Sequence, residues 1–306
     1  MKLSSRQAAV LLHTHESSVK RWCNAGALPC SFTNGGHRRI QLDDLLLFAD
    51  SQEVDCELLR LGGDAEMALK SVFRLRRGVL SNDVVTLLKD WLLESQSRKV
   101  LALIIVARSF GISLSVIFDK MIGDLMRHIG ESWAAGSFGI GEEHRVSECI
   151  LDVLYHLQSE VEPSDDRMRP TAILGTGPDD DHVTGALMVR TLLTEIGWNV
   201  VFLGRKVPVE DFVLFQQKYK ASLVCISLAA DRSLADVSSF ITSVRSLSGN
   251  DGFQIAFGGS GARSLLRAPT TAPDHSGVFF FESATEFGSW ADTTLNHLLT
   301  PYHEVN

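Results

Sequence analysis

Two short constellations in this 306-residue chain carry side chains able to do chemistry. The first is Asp180-Asp181-His182-Val183-Thr184-Gly185. It follows an apolar run, Thr171 to Gly175, that reads as a buried strand, and precedes Ala186 to Leu193, which reads as a helix. In an open α/β sheet such a loop lies at the carboxyl edge, where ligands bind. An imidazole there offers one ring nitrogen to a metal, while a carboxylate two residues earlier accepts a hydrogen bond from the other and fixes the tautomer. Gly185 leaves room for a bulky group close to the backbone. Taken alone, the hexapeptide fits a solvated loop histidine equally well.

The second constellation is Trp133 followed, after nine residues, by Glu143-His144. An indole face, an acid and an imidazole together suit the covering of a flat ligand and hydrogen bonding to its polar substituent. The plainer alternative is a core tryptophan and a solvated first helical turn, where a glutamate is favoured by the helix dipole. Two weaker features complete the set, Ser227-Leu228-Ala229 and Gly258-Gly259-Ser260-Gly261. Small residues and a hydroxyl at strand ends make room for a thin ligand appendage. The glycine run follows the fourth strand of its domain and lacks an acidic ribose partner, so it is no dinucleotide fingerprint. P-loop, GxSxG and HExxH motifs are absent, and the chain is expected not to be an enzyme.

The elements that must position these residues follow from periodicity. Strands are predicted at 171–175, 199–203, 222–227, 253–257 and 278–281, alternating with helices as in a flavodoxin-like, doubly wound parallel sheet. Upstream, helical spacing over 83–94, 98–110, 114–133 and 142–160 predicts a four-helix bundle, with Trp133 and Glu143-His144 at one end. The expected organisation is a head over 1–50, a partly helical linker over 51–80, the bundle over 81–162, a second linker over 163–170, and the α/β domain over 171–306.

Composition, 45% hydrophobic and 22% charged, is that of an ordinary globular protein. Five widely spaced cysteines without CxxC argue against a disulfide framework and for a reducing, cytoplasmic location. The start lacks a signal peptide's apolar core, and the run from Val100 to Ala107 is too short to span a bilayer. Charge is uneven. Through Gln41, Lys2, Arg6, Lys20, Arg21, Arg38 and Arg39 stand against Glu16 alone, a net +5 that leaves −13 of the total −8 to the rest. A basic head on an acidic body points the head at a polyanion.

That head begins with Ser4-Ser5 before a short helix, then a turn at His13-Thr14-His15, then a helix from Glu16 to Asn24 stopped by Gly26. In a helix-turn-helix the second helix enters the major groove, here with Ser17, Ser18, Lys20 and Arg21 available to double-stranded DNA. Asn34-Gly35-Gly36 signals a hairpin, and His37, Arg38 and Arg39 beside it are candidates for phosphate or minor-groove contact. His13, His15, Cys23 and Cys30 fit no standard zinc finger. So short a recognition helix predicts weak binding by a monomer and dependence on a dimer or higher homo-oligomer.

The run Val19-Lys20-Arg21-Trp22 … Gly26 … Leu28-Pro29 … Thr33-Asn34-Gly35-Gly36-His37-Arg38-Arg39-Ile40 resembles the MerR and excisionase winged-helix DNA-binding domains. Asp180-x-His182-x-x-Gly185, Ser227-x-Ala229 (usually Ser-x-Leu or Ser-x-Val) and Gly258-Gly259 resemble the cobalamin-binding domain of base-off/His-on corrinoid proteins. In this order the chain resembles the MerR-type cobalamin-dependent photoreceptor regulators (the CarH/LitR type). The resemblance implies His182 as the lower cobalt ligand with Asp180 behind it, a nucleotide tail in the groove of Ser227, Ala229, Gly258 and Gly259, and Trp133, Glu143 and His144 over the adenosyl group of adenosylcobalamin. It also implies a repressor that occupies operator DNA as a tetramer in the dark and releases it when light breaks the cobalt–carbon bond. One position departs from the pattern. The residue after the tryptophan, a histidine that takes the upper cobalt site in that family, is Ala134. A light state ligated through that position is excluded, leaving His144, water or His128, the last of which reads better as a partly exposed helix residue. Two alternatives stand beside light sensing: a cobalamin-binding regulator that senses the cofactor, redox state or a second chromophore, and a corrinoid methyl carrier.

Overall fold

The computed structural model describes residues 1–79, 82–136, 139–161, 169–229, 234–248, 252–262 and 277–299. Two compact units divide the chain, Met1–Val153 and Leu154–Asn306.

In the head, Ser4 starts helix α1 (Ser5–Leu11) with a capping box. Its hydroxyl accepts from the Gln7 amide at 3.2 Å, and the Gln7 side chain accepts from the Ser4 amide at 2.9 Å. Helix α2 (Glu16–Asn24) follows a three-residue turn and buries Val19. Strand β1 (Lys2–Leu3) pairs antiparallel with β3 (Arg38–Gln41), which also pairs with β2 (Ser31–Phe32), giving the sheet order β1-β3-β2. Helix α3 (Leu42–Ser51) closes a core of Leu3, Ala8, Leu11, Leu28, Ile40 and Leu45, and Trp22 packs its ring 4.9 Å from that of Phe48. This is a winged helix-turn-helix.

The expected linker over 51–80 is instead folded. A 3-10 helix (Glu57–Asp64) runs into α4 (Ala65–Arg76), and both pack on α6 (Ser97–Ser109). Leu58, Leu61, Ala65, Ala68, Leu69 and Val72 are buried at helical spacing. The Gly62-Gly63 pair, which reads as a flexible break, makes a fixed kink with Gly62 at φ +55°. At that kink Asp64 accepts hydrogen bonds from the Trp91 indole at 2.9 Å and the Lys99 ammonium at 3.0 Å, and the same ammonium lies 5.5 Å from the Trp91 ring centre. The Met1 amino group pairs with Glu66 at 2.9 Å. Head and bundle are therefore one compact unit.

The bundle comprises α5 (Asn82–Leu93), α6, a segment running from α7 (Leu114–Ile117) through a wide π turn (Phe118–Gly123) into α8 (Asp124–Ala134), and α9 (Ile140–Glu160). The helix expected over 114–133 thus carries a wide turn, at which Gly123 comes close to the Phe118 carbonyl.

In the second unit, β4 (Thr171–Thr176), β5 (Asn199–Gly204), β6 (Leu223–Ser227), β7 (Gln254–Gly258) and β8 (Val278–Phe281) form a parallel sheet in the order β5-β4-β6-β7-β8. Helices α10 (Thr184–Ile196), α11 (Val209–Tyr219), α12 (Leu234–Ser248) and α13 (Ala284–Leu299) complete it. Phe212, Val213, Phe240, Ile241 and Val244 pack on Ile173, Val224, Ile226, Ile255 and Phe257 in its core. The chain order reverses between β4 and β6, the position at which doubly wound sheets bind ligands. The linker expected over 163–170 lies outside the described residues except for Arg169 and Pro170. Among the described residues no helix is long and apolar enough to cross a membrane.

The Lys99 hydrogen bond first, and the Trp91 bond second, hold the Asp64 carboxyl below the usual carboxylate range. Asp64→Asn is expected to cost about 1–2 kcal/mol in urea denaturation. The wild-type advantage is complete above the unfolded carboxylate's value of about 4 and fades as pH falls through the lower folded value, so the two unfolding curves converge in acid.

Candidate cofactor site and nucleic-acid interface

Asp180 leaves β4 on a loop that turns back to the sheet edge. Its backbone is clamped from two sides. The Thr176 hydroxyl donates to the Asp180 carbonyl at 2.5 Å, and the Lys206 amide donates both to that carbonyl at 3.2 Å and to the Thr176 hydroxyl at 2.9 Å. The carboxylate, 2% exposed, is placed between three donors. Oδ1 accepts from the His182 amide at 3.0 Å and faces His182 Nδ1 at 3.0 Å, while Oδ2 accepts from the Ala229 amide at 2.7 Å. Burial by itself raises the carboxyl, but the bonds from Ala229 and His182 outweigh it and hold the group below the usual range. An ionised Oδ1 facing Nδ1 assigns the proton to that nitrogen and leaves the Nε2 lone pair free. The His182 side chain is 73% exposed, so Nε2 is open to a ligand.

Thr176, Ser227 and Gly258 are register neighbours at the ends of β4, β6 and β7. A Cβ on Gly185 would stand 2.9 Å from the buried Ser227 hydroxyl, so the α10 start and the β6 end are in contact there only because Gly185 has none. Gly259, at φ +98°, would place a Cβ 2.4 Å from the Leu228 carbonyl, and its glycine is demanded by the backbone. Gly258 differs. A Cβ there meets nothing closer than the Phe281 carbonyl at 3.8 Å, an ordinary contact, so protein packing does not require that glycine. The Ser260 hydroxyl donates to the Ala229 carbonyl at 2.7 Å, tying the two strand-end turns together.

Among the described residues no three histidine, cysteine or acidic groups gather to hold a metal ion. A single open imidazole backed by a carboxylate suits instead a metal that arrives with its other positions filled, as in a corrin. The residues present fit such a group. His182 would be its protein ligand, and Gly258, where a Cβ would meet nothing closer than 3.8 Å, adds no side chain at the neighbouring strand end.

In the other unit, Trp133 ends α8 with its side chain 54% exposed, and Glu143 and His144 lie in the first turn of α9. Glu143 accepts from the Ser147 hydroxyl at 2.8 Å and stands 3.7 Å from His144. The tryptophan is not core, which removes the plainer alternative for it. Ala134 and His128 are both exposed on α8.

On the head, Ser17, Lys20 and Arg21 are exposed along α2, and Ser18 is half-buried. Lys20 pairs with Glu16 at 2.9 Å, an exposed pair of small worth that leaves the ammonium available to phosphate. His37 is exposed at the wing, where its amide donates to the Thr33 hydroxyl at 3.2 Å. Arg38, expected at phosphate, is half-buried and engaged within the head. It donates to the Asn24 side chain at 2.6 Å and stacks 5.3 Å from the Phe32 ring centre, pinning the wing to α2. Arg39 beside it is half-buried. Sequence reasoning did not single out Thr176, Lys206 or Asn24. The first two act through groups adjacent only in the folded sheet, and Asn24 meets Arg38 across fourteen residues of chain.

Residues 3–53 match the helix-turn-helix domain family, and residues 84–158 match the B12 binding domain family. Over 147 residues the chain is 29% identical to the HTH-type transcriptional repressor CarH of Myxococcus xanthus, covering 48% of each chain. Over 123 residues it is 27% identical to trimethylamine corrinoid protein 1 of Methanosarcina acetivorans, 40% of this chain and 57% of that one. The chain thus spans about half the length of the curated relatives it matches. Its fold is similar to that of the Methanosarcina barkeri monomethylamine corrinoid protein, with a TM-score of 0.55 and 19% identity over 70% of this chain and 99% of that one.

Asp180→Asn replaces one acceptor oxygen by an NH2 group and sets it against a donor. The variant is expected to lose about 1–3 kcal/mol of stability. Nitrogen NMR of His182 should change from Nδ1-protonated to a mixture of tautomers. An unchanged spectrum would show that Asp180 does not set the tautomer.

Proposed function

We propose that this chain is a cobalamin-dependent, DNA-binding transcription regulator that acts as a homo-oligomer and senses light with adenosylcobalamin. The observation that carries the cofactor assignment is the open Nε2 of His182, with Nδ1 held by a buried, fully bonded Asp180. The similarity to a transcriptional repressor and to corrinoid proteins supports the reading, and the helix-turn-helix head separates it from a methyl carrier, which has no use for one.

In this reading His182 would hold the cobalt through Nε2, with Asp180 keeping the Nδ1 proton in place. Gly185, Ser227, Ala229, Gly258 and Gly259 make room for the cofactor's nucleotide tail. Trp133, Glu143 and His144 are assigned to the adenosyl substituent, where an exposed indole excludes water. Bound adenosylcobalamin supplies a cobalt–carbon bond that light breaks. The head carries Ser17, Ser18, Lys20, Arg21, His37 and Arg39 to the operator, with Arg38 holding the wing. Because the head packs on the bundle without a tether, a change in the bundle reaches the DNA-binding surface through packed side chains. Assembly supplies the rest, since linking weak heads raises binding by about 10²–10⁴ without altering any one of them. The exposed Ala134 favours one second reading, a regulator that responds to the cofactor or its redox state rather than to light.

Protein loaded with adenosylcobalamin in the dark is expected to show a base-off, His-on absorption spectrum. Illumination should change both the spectrum and the gel-filtration elution volume. Bound cobalamin with no change on illumination would leave the second reading, and His-on binding by His182→Ala would remove the ligand assignment.

On operator DNA, Lys20→Ala and Arg21→Ala are each expected to weaken binding about tenfold and to reduce the salt slope by about one. Arg38→Ala is expected to lower the head's thermal stability as well as its affinity. Binding isotherms across salt, set beside melting curves, distinguish the two classes.

A further inference from the structure

Thr176 is the last residue of β4 and is fully buried. Its hydroxyl donates to the Asp180 carbonyl at 2.5 Å and accepts from the Lys206 amide at 2.9 Å. The same amide reaches the Asp180 carbonyl at 3.2 Å, so hydroxyl, carbonyl and amide close a triangle of hydrogen bonds. The Val207 amide donates to the Thr176 carbonyl at 3.3 Å, and Thr176 thus joins the loop after β4 to the loop after β5 through main chain and side chain together. Two residues of these loops, Asp179 at φ +60° and Lys206 at φ +50°, hold left-handed backbone conformations that residues other than glycine seldom adopt. Such turns persist only where surrounding bonds fix them. A further link between the loops, from the Lys206 ammonium to Asp181, is exposed and of small worth. Asp180 is therefore held at both ends. The Ala229 amide fixes its carboxylate through Oδ2 at 2.7 Å, and Thr176 with Lys206 fixes its carbonyl. Fixed so, Oδ1 stays 3.0 Å from His182 Nδ1. With the carbonyl end loose, the Asp180 backbone can turn, and a hydrogen bond weakens steeply as its geometry degrades.

We propose that Thr176 is a positioning residue for cofactor binding: its hydroxyl, acting through Asp180, fixes the tautomer and direction of the His182 imidazole. The bearing on cobalt rests on the cofactor reading above; the effect on the imidazole does not. Valine matches threonine in shape and lacks only the hydroxyl. In Thr176→Val the Lys206 amide keeps the Asp180 carbonyl as its partner, so neither backbone group is orphaned and the variant is expected to fold. What it loses is the stronger grip on that carbonyl, and with it the fixed direction of Asp180.

The test compares the full chain with Thr176→Val, Thr176→Ser and Asp181→Ala, first without cofactor. Nitrogen NMR of His182 is expected to show an Nδ1-protonated ring in the wild type and in Thr176→Ser, which restores the hydroxyl, and a mixture of tautomers in Thr176→Val. Asp181→Ala breaks the exposed ion pair and should leave the tautomer as it is. Thermal melting of Thr176→Val is expected to stay close to that of the wild type. With adenosylcobalamin in the dark, Thr176→Val should bind about tenfold more weakly and show a smaller His-on fraction, with Thr176→Ser close to the wild type. A Thr176→Val ring that stays Nδ1-protonated, or an Asp181→Ala ring that shifts as far, would overturn the proposal. So would early melting of Thr176→Val, since the hydroxyl would then serve the fold rather than the imidazole. A changed tautomer with undiminished His-on cobalamin would overturn its bearing on cobalt. Failure of the wild-type chain to bind cobalamin would count against the cofactor reading and leave the NMR result to decide the positioning role.

Discussion

A carboxylate buried without partners is too costly to remain ionised, so its environment must supply donors. Asp180 obtains three, from the His182 amide, the His182 ring and the Ala229 amide. Each fixes something else. The Ala229 bond ties the β4 loop to the end of β6 across the point where chain order reverses. The His182 bonds set both the backbone and the tautomer of an exposed imidazole at that edge. Thr176 and Lys206, which grip the Asp180 carbonyl, carry the same constraint back to β4 and forward to the loop after β5. Gly185 lets the start of α10 meet the Ser227 hydroxyl, and Gly258 adds no side chain at the neighbouring strand end.

A comparable constraint organises the first unit. Asp64 collects an indole and an ammonium at the kink where the chain passes from head to bundle. That cluster, with Leu58, Leu61 and Leu69 buried beneath it, replaces a flexible tether by packed structure. The arrangement bears on regulation. A tethered head moves independently of its sensor, and signals to DNA only by changing how many heads are held together. A packed head also receives displacement of the bundle directly. Both routes operate in the proposed function, and the wide π turn within the third bundle helix is the place where that helix departs from regular packing.

The division of labour on the head follows the same physics. Lys20, Arg21 and His37 project into solvent and keep their charge or hydrogen-bonding capacity for a polyanion. Arg38 is engaged internally with Asn24 and Phe32. Adjacent basic residues in a wing thus do different work. Arg38 holds the wing to α2, while His37 beside it stays exposed.

Local sequence determined much of this. Strand and helix periods placed all five strands of the sheet and the four bundle helices, because burial of an apolar face imposes spacing on the chain itself. The pairing of Asp180 with His182 was legible, since two residues of loop bring the groups into reach whatever surrounds them. Tertiary structure alone decided what depends on residues far apart in sequence. It gave Asp180 its third donor, from Ala229, and it engaged Arg38 with Asn24. It also turned the stretch from 57 to 76 from an apparent linker into packed helix. There the reason is specific. A glycine pair reads as freedom in an isolated chain, but with α6 and Asp64 on either side it is the only residue type that allows the kink, and burial of the flanking leucines holds it in place.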